Sequence, residues 1–123
     1  MIGDILAWKN HLSAWPVTTL TLGGKTYTQA QLLTILNTPV GTGKNADATL
    51  ILADQLIAAQ PNIAHGSDPT PVTGIIAHTS NILTGCMVPC GVKPSSTLGQ
   101  QMTVDEALLA QYNEGLLILG CGP

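Results

Sequence analysis

Asn45-Ala46-Asp47-Ala48-Thr49-Leu50-Ile51-Leu52-Ala53-Asp54-Gln55-Leu56-Ile57-Ala58-Ala59-Gln60 is the stretch on which the fold turns. Its apolar residues, Leu50 to Ala53 and Leu56 to Ala59, run nearly all the way round a helix. A helix without a polar face belongs inside a protein, so these residues predict a central helix over 45–60, broken by Pro61. Upstream, Thr28-Gln29-Ala30-Gln31 matches a capping box and opens a helix carrying Leu32, Leu33, Ile35 and Leu36. Before it, 18–28 alternate around Gly23-Gly24, the pattern of a small β-hairpin with a tight turn. Residues 3–15 hold apolar side chains near helical period and predict a short helix stopped by Pro16.

Downstream, Thr70-Pro71 reads as an N-cap with proline at the first helical position. Val72, Ile75, Ile76, Thr79, Ile82 and Leu83 then mark one helix face, ended by Gly85. Residues 86–101 form a long irregular stretch, and loops of that length tend to be functional or tied down. Thr103-Val104-Asp105-Glu106 matches a second capping box, with Leu108, Leu109 and Tyr112 on the apolar face of its helix and Gly115 as terminator. The tail 116–119 is suited to a strand or an extended strap. The expectation is one mainly α domain over 1–123, a bundle of four to five helices with a small hairpin near the N-terminus.

Composition excludes several functions. The chain has four lysines, no arginine and seven acidic residues. Recognition of a phosphate backbone, or of an anionic membrane surface, draws on clustered cations that are missing here. No apolar run approaches the length of a membrane-spanning helix, and the first residues lack the basic and apolar regions of a signal peptide. That start suits either a cytosolic protein or a fragment of a longer one. Few charges among many Thr, Gly, Asn and Pro residues favour a secreted bacterial module. Cys86 and Cys90 are spaced to close a small disulfide, leaving Cys121 unpaired or available for a disulfide-linked homo-oligomer. The alternative is that all three are reduced and packed; the spacing is poor for zinc.

His11, His65 and His78 are the side chains that titrate near neutrality. If they converge, they make a three-histidine metal site able to activate water, with zinc as the natural ion and Asp54 or Asp68 as ligand or general base. No other cofactor is implied. Ser95 or Ser96 could complete a Ser-His-Asp set, but no Gly-x-Ser-x-Gly elbow is present and Lys93-Pro94-Ser95-Ser96 reads better as a turn with a helix cap. Cys86 or Cys90 beside His78 is a third nucleophile arrangement. Gly41-Thr42-Gly43-Lys44-Asn45 fails as a phosphate loop, with Thr38 and Asn45 at positions that need Gly and Ser or Thr. Trp8, Trp15 and Tyr27, with Lys9 and Asn10, are candidate binding residues for sugar or peptide; the bland alternative is that the aromatics anchor the core.

Several motifs are familiar as a set: Trp8-Lys9-Asn10-His11, Trp15-Pro16-Val17, Leu22-Gly23-Gly24-x-Thr26-Tyr27 and Ile35-Leu36-Asn37-Thr38-Pro39-Val40. Leu56-Ile57-Ala58-Ala59 with Asn62-Ile63-Ala64, Val92-Lys93-Pro94-Ser95-Ser96 with Leu98-Gly99-Gln100-Gln101-Met102, and Gln111-Tyr112-Asn113-x-Gly115 continue it. Together they resemble an uncharacterised module of large secreted bacterial proteins, typically placed near the C-terminus. The chain departs from that pattern in lacking the leading cysteine, in Ala7 before Trp8 and in Leu12 after His11. If the usual first cysteine pairs with the tail, Cys121 has lost its partner. His65 and His78 stand where small or acidic residues are expected.

The resemblance implies an extracellular, noncatalytic role: a structural, adhesive or surface-associating module whose partner is a cell-surface protein or polysaccharide. The competing expectation is a small hydrolase built on histidines, with or without a divalent metal.

Overall fold

A hairpin turn made of two glycines sets the first element pair. In a computed structural model that describes Trp15, 18–64, Gly66 and 68–114, β1 (Thr19–Leu22) pairs antiparallel with β2 (Lys25–Thr28). Gly23 and Gly24 both have positive φ, 59° and 83°, the backbone of a tight two-residue hairpin turn. Gly23 has a second reason to lack a side chain, because a Cβ there would lie 2.4 Å from the Leu83 carbonyl oxygen. Leu20, Leu22 and Tyr27 face the core, while Thr19, Thr21, Thr26 and Thr28 face out.

The first capping box is realised. The Gln31 N–H donates to Thr28 Oγ1 at 3.2 Å and the Thr28 N–H donates to Gln31 Oε1 at 2.9 Å. Helix α1 (Gln29–Asn37) follows and buries Leu32, Ile35 and Leu36.

The central helix, α2, spans Ala48–Ala64, shifted towards the C-terminus from the predicted 45–60. It starts later because Asp47 is its cap. The first N–H groups of a helix have no carbonyl four residues back within it and need other partners, until the cap carbonyl accepts the first regular bond. Ala48 donates to the Val92 carbonyl, Thr49 to Asp47 Oδ1, and Leu50 and Ile51 to the Asp47 carbonyl. Gly43–Asn45 instead form a short 3₁₀ turn. Pro61 does not break the helix. It lacks the N–H that would reach the Ile57 carbonyl, yet one more turn follows, held by burial of Pro61 and Asn62. The Asn62 amide donates to Asn113 Oδ1 at 3.0 Å, which binds this turn to the last helix.

The start of the next helix also differs from expectation. Thr70 is not the cap; Asp68 Oδ1 accepts from the Thr70 N–H and hydroxyl, and Thr70–Val72 form a 3₁₀ turn before α3 (Thr73–Ile82). The predicted face holds: Val72, Thr79 and Leu83 are buried, Ile75, Ile76 and Ile82 half-buried.

The largest correction concerns the last helix. α4 spans Thr97–Asn113, beginning six residues before Thr103. Its N-cap is Ser96, whose Oγ accepts from the Gly99 N–H at 3.0 Å and donates to the Lys93 carbonyl at 2.6 Å. Thr103 lies inside the helix, its hydroxyl turned back to the Gln100 carbonyl. Gly99 is required here, since a Cβ would stand 1.9 Å from the Lys93 carbonyl oxygen.

Between α3 and α4 the irregular segment is tied down along its length. The peptide bond Val88–Pro89 is cis, and Cys86 and Cys90 form a disulfide across a Cα separation of 5.8 Å. The Val88 N–H donates to the Tyr27 hydroxyl, Cys90 to Thr49 Oγ1, Gly91 to Asp47 Oδ2 and Val92 to Asp47 Oδ1. The core sits between α2, the hairpin, α1 and α4, with α3 packed on α4. The fold is thus mainly helical with a small hairpin near the N-terminus. Apart from Trp15, the predicted helix over 3–15 lies outside the described residues, as do Gly115, the tail 116–119 and Cys121.

Asp47→Ala removes a helix cap and two charged anchors of the loop together. We expect it to lower unfolding free energy by about 2–4 kcal/mol in urea melts, with the disulfide still formed.

Candidate functional site

Of the residues singled out in the sequence, His78 is the one that the structure places in a site. It lies on α3, and α3 packs against α4. Its Nδ1–H donates to Asp105 Oδ2 at 2.5 Å, and the Thr79 hydroxyl approaches the same oxygen at 3.4 Å. The histidine side chain is 47% exposed and that of Asp105 only 10%. The pairing leaves Nε2 as the ring nitrogen open to a ligand, an acceptor in the neutral imidazole. Both residues line a groove of about 490 Å³ together with Thr97, Gln100, Gln101 and Val104. Side chains from the exposed face of α4 form most of that wall.

The other candidates fall elsewhere. Tyr27 is buried, and its hydroxyl accepts from the Val88 N–H at 3.1 Å and lies 3.7 Å from Met87 Sδ. Trp15 is buried in the same core cluster. Neither offers a free ring face to a sugar or peptide. Tyr27 does edge a second, smaller cavity of about 210 Å³ between α1 and the disulfide loop, lined by Ile35, Met87, Val88 and Pro89 among others.

Asp54 is buried on α2 and does not border the histidine groove. Asp68 is taken up by Thr70, whose N–H and hydroxyl hold its carboxyl below the usual aspartate range. His11, His65, Trp8, Lys9 and Asn10 lie outside the described residues. Among those described, no three His, Cys, Asp or Glu side chains come close enough to hold a metal ion. Cys86 and Cys90 are spent on each other, so neither is a thiol nucleophile in this state. Ser96 is committed to its cap.

Asp105 is the residue that sequence reasoning missed. Its partner is twenty-seven positions away on another helix. The signal in the sequence was that Asp105 precedes Glu106 on an otherwise apolar helix face, and it was absorbed into the capping box pattern.

No known protein family, curated protein or solved structure matches the chain. Among the described residues no helix is long and apolar enough to cross a membrane.

On α4, burial pushes the Glu106 carboxyl above the usual glutamate range, with the charge of Glu114 adding to it. A raised folded-state pKa means that its contribution to stability is complete below the unfolded value, about 4.3, and is lost as pH rises through the folded one. Glu106→Gln should therefore raise unfolding free energy at pH 7, by no more than about 0.5 kcal/mol after solvent screening. The gain should disappear below about pH 4 in thermal melts across pH.

Proposed function

We propose that the chain is a disulfide-stapled extracellular module that associates with a cell-surface component instead of turning over a substrate. The observation that carries this is the Cys86–Cys90 bridge, because structural disulfides persist in oxidising compartments and are rare in reducing ones. Low cation content and the motif resemblance to secreted bacterial proteins support the same role. The motif residues also do packing work: Gly23 meets Leu83, Tyr27 holds Val88, Gly99 meets Lys93, and Asn62 bonds Asn113. Motifs of that kind support a scaffold.

One observation favours a second function. An aspartate fixing a histidine by Nδ1, with Nε2 open to a groove, is the arrangement of a general base. In a hydrolase, Nε2 would take a proton from water as its oxygen adds to an ester or acetal centre, then return it to the leaving oxygen. Proton transfer of this kind contributes about 10²–10⁴-fold to rate.

Labelled protein with its disulfide formed, incubated with intact bacterial cells and with isolated wall and capsule fractions, should be retained through washing. Retention by none of these fractions overturns the module. Turnover of p-nitrophenyl esters or glycosides that falls at least about 10²-fold in His78→Ala would instead establish the hydrolase.

A further inference from the structure

We infer that the groove between α3 and α4 is a binding site for a neutral oligosaccharide, an inference that rests on the surface-associating function proposed above and names its ligand class. Clefts for small ligands generally run to roughly 300–1,000 Å³ and are mostly apolar. This one, at about 490 Å³, fits in size, and its exposed lining is likewise more apolar than polar. Its walls present the Gln100 and Gln101 amides, the Thr97 hydroxyl and the His78 imidazole, with Val104 as the apolar contribution.

Charge decides against an ionic ligand. The acidic group in the groove, Asp105, accepts from His78 and Thr79 through Oδ2 alone, but among the described residues no second carboxylate stands beside it to complete a cation site. Among the described residues no lysine lines the groove, so a phosphate or carboxylate finds no fixed cation from them. A neutral ligand remains, and it must carry many hydroxyl groups to match amides and an imidazole that each donate or accept.

Peptides fit less well. They bind by adding a strand to a sheet edge, by seating apolar anchors in a groove, or by laying polyproline on aromatics. Here both walls are helices, whose backbone groups are largely bonded within the helix, and among the described residues no Trp or Tyr ring lines the site. A sugar ring needs less. Val104, 61% exposed, supplies a small apolar patch for its C–H face, and the surrounding side chains supply hydroxyl partners. His78 Nε2, left open by the Asp105 pairing at Nδ1, is placed to share a hydrogen bond with a sugar hydroxyl, which both donates and accepts.

The test uses the full chain, disulfide intact, titrated with cellohexaose, laminarihexaose, mannohexaose and chitohexaose and followed by amide and imidazole NMR. One of these probes should bind saturably, with Kd between about 10 μM and 1 mM, and shift resonances along α3 and α4. Gln101→Ala places a strong helix former on an exposed face and should keep the melting temperature while weakening binding about five-fold. Thr34→Ala, beside the smaller cavity at α1, should leave binding unchanged. Absence of binding to all four probes overturns the site, as does binding that Gln101→Ala leaves unaltered. Binding of an uncharged peptide in place of the sugars overturns the ligand class.

The two proposals fail separately. Retention on cells that survives Gln101→Ala keeps the module and removes the groove. Oligosaccharide binding without retention on any cell fraction keeps the groove and removes the module.

Discussion

Four donors converge on the carboxylate of Asp47: the Thr49 N–H and hydroxyl, the Gly91 N–H and the Val92 N–H. The same residue caps the central helix through its carbonyl and takes its own N–H to Val40. One side chain thereby joins the start of α2 to the end of the disulfide loop. From Val92 the chain has only a few residues before Ser96 caps α4, and Gly99 then presses against the Lys93 carbonyl. The place where α4 begins thus follows from where Asp47 holds the strand of loop before it. Asp105 and the α4 wall of the groove inherit that position.

Apolar burial alone would not set these helices in register. The hydrophobic effect is non-directional, and α2 is apolar almost all round. Direction comes from buried polar pairs. Asn113 donates to the Gln55 carbonyl and to its Oε1, and it accepts from Asn62, so two points about two turns apart on α2 are pinned to the end of α4. The Tyr112 hydroxyl donates to the Asp68 carbonyl at 2.7 Å and docks the turn before α3 on the same helix end. At the other side of α4, Asp105 receives His78 and Thr79 from α3. A satisfied polar pair in a core tolerates one alignment, because any other leaves a buried group without its partner.

Local signals were legible where local chemistry decides the backbone. Thr28 with Gln31, the Gly23-Gly24 turn and the apolar run of α2 all act within a few residues of themselves. The same local logic misled at Thr103, where a box-like pattern fell inside a helix whose real cap, Ser96, has no Glu or Gln three residues on. Pro61 misled because burial and the Asn62–Asn113 bond outweigh one lost backbone bond, and those partners are fifty-one residues apart. The site was half legible. His78 stood out by residue type, but its pairing with Asp105 is made by the packing of two helices, which no spacing encodes. Tyr27 stood out as an aromatic and proved to be a hydrogen-bonded pillar of the core, for the same reason: its partner, Val88, is supplied by the tertiary fold.

The segment 86–96 has the composition of a loop that proteases choose, rich in Gly, Pro and Ser and lying at the surface. Cleavage needs several consecutive residues to open into an extended form, and opening is governed by local stability. Here the amides of Cys86, Val88, Cys90, Gly91, Val92 and Ser96 all have fixed partners, and a covalent bridge spans part of the run. Opening it would mean releasing Tyr27, Thr49 and Asp47 together, which amounts to unseating the central helix. The longest irregular stretch between helices is therefore among the least cleavable parts of the described chain, and a nick there would report global unfolding, not a local flaw.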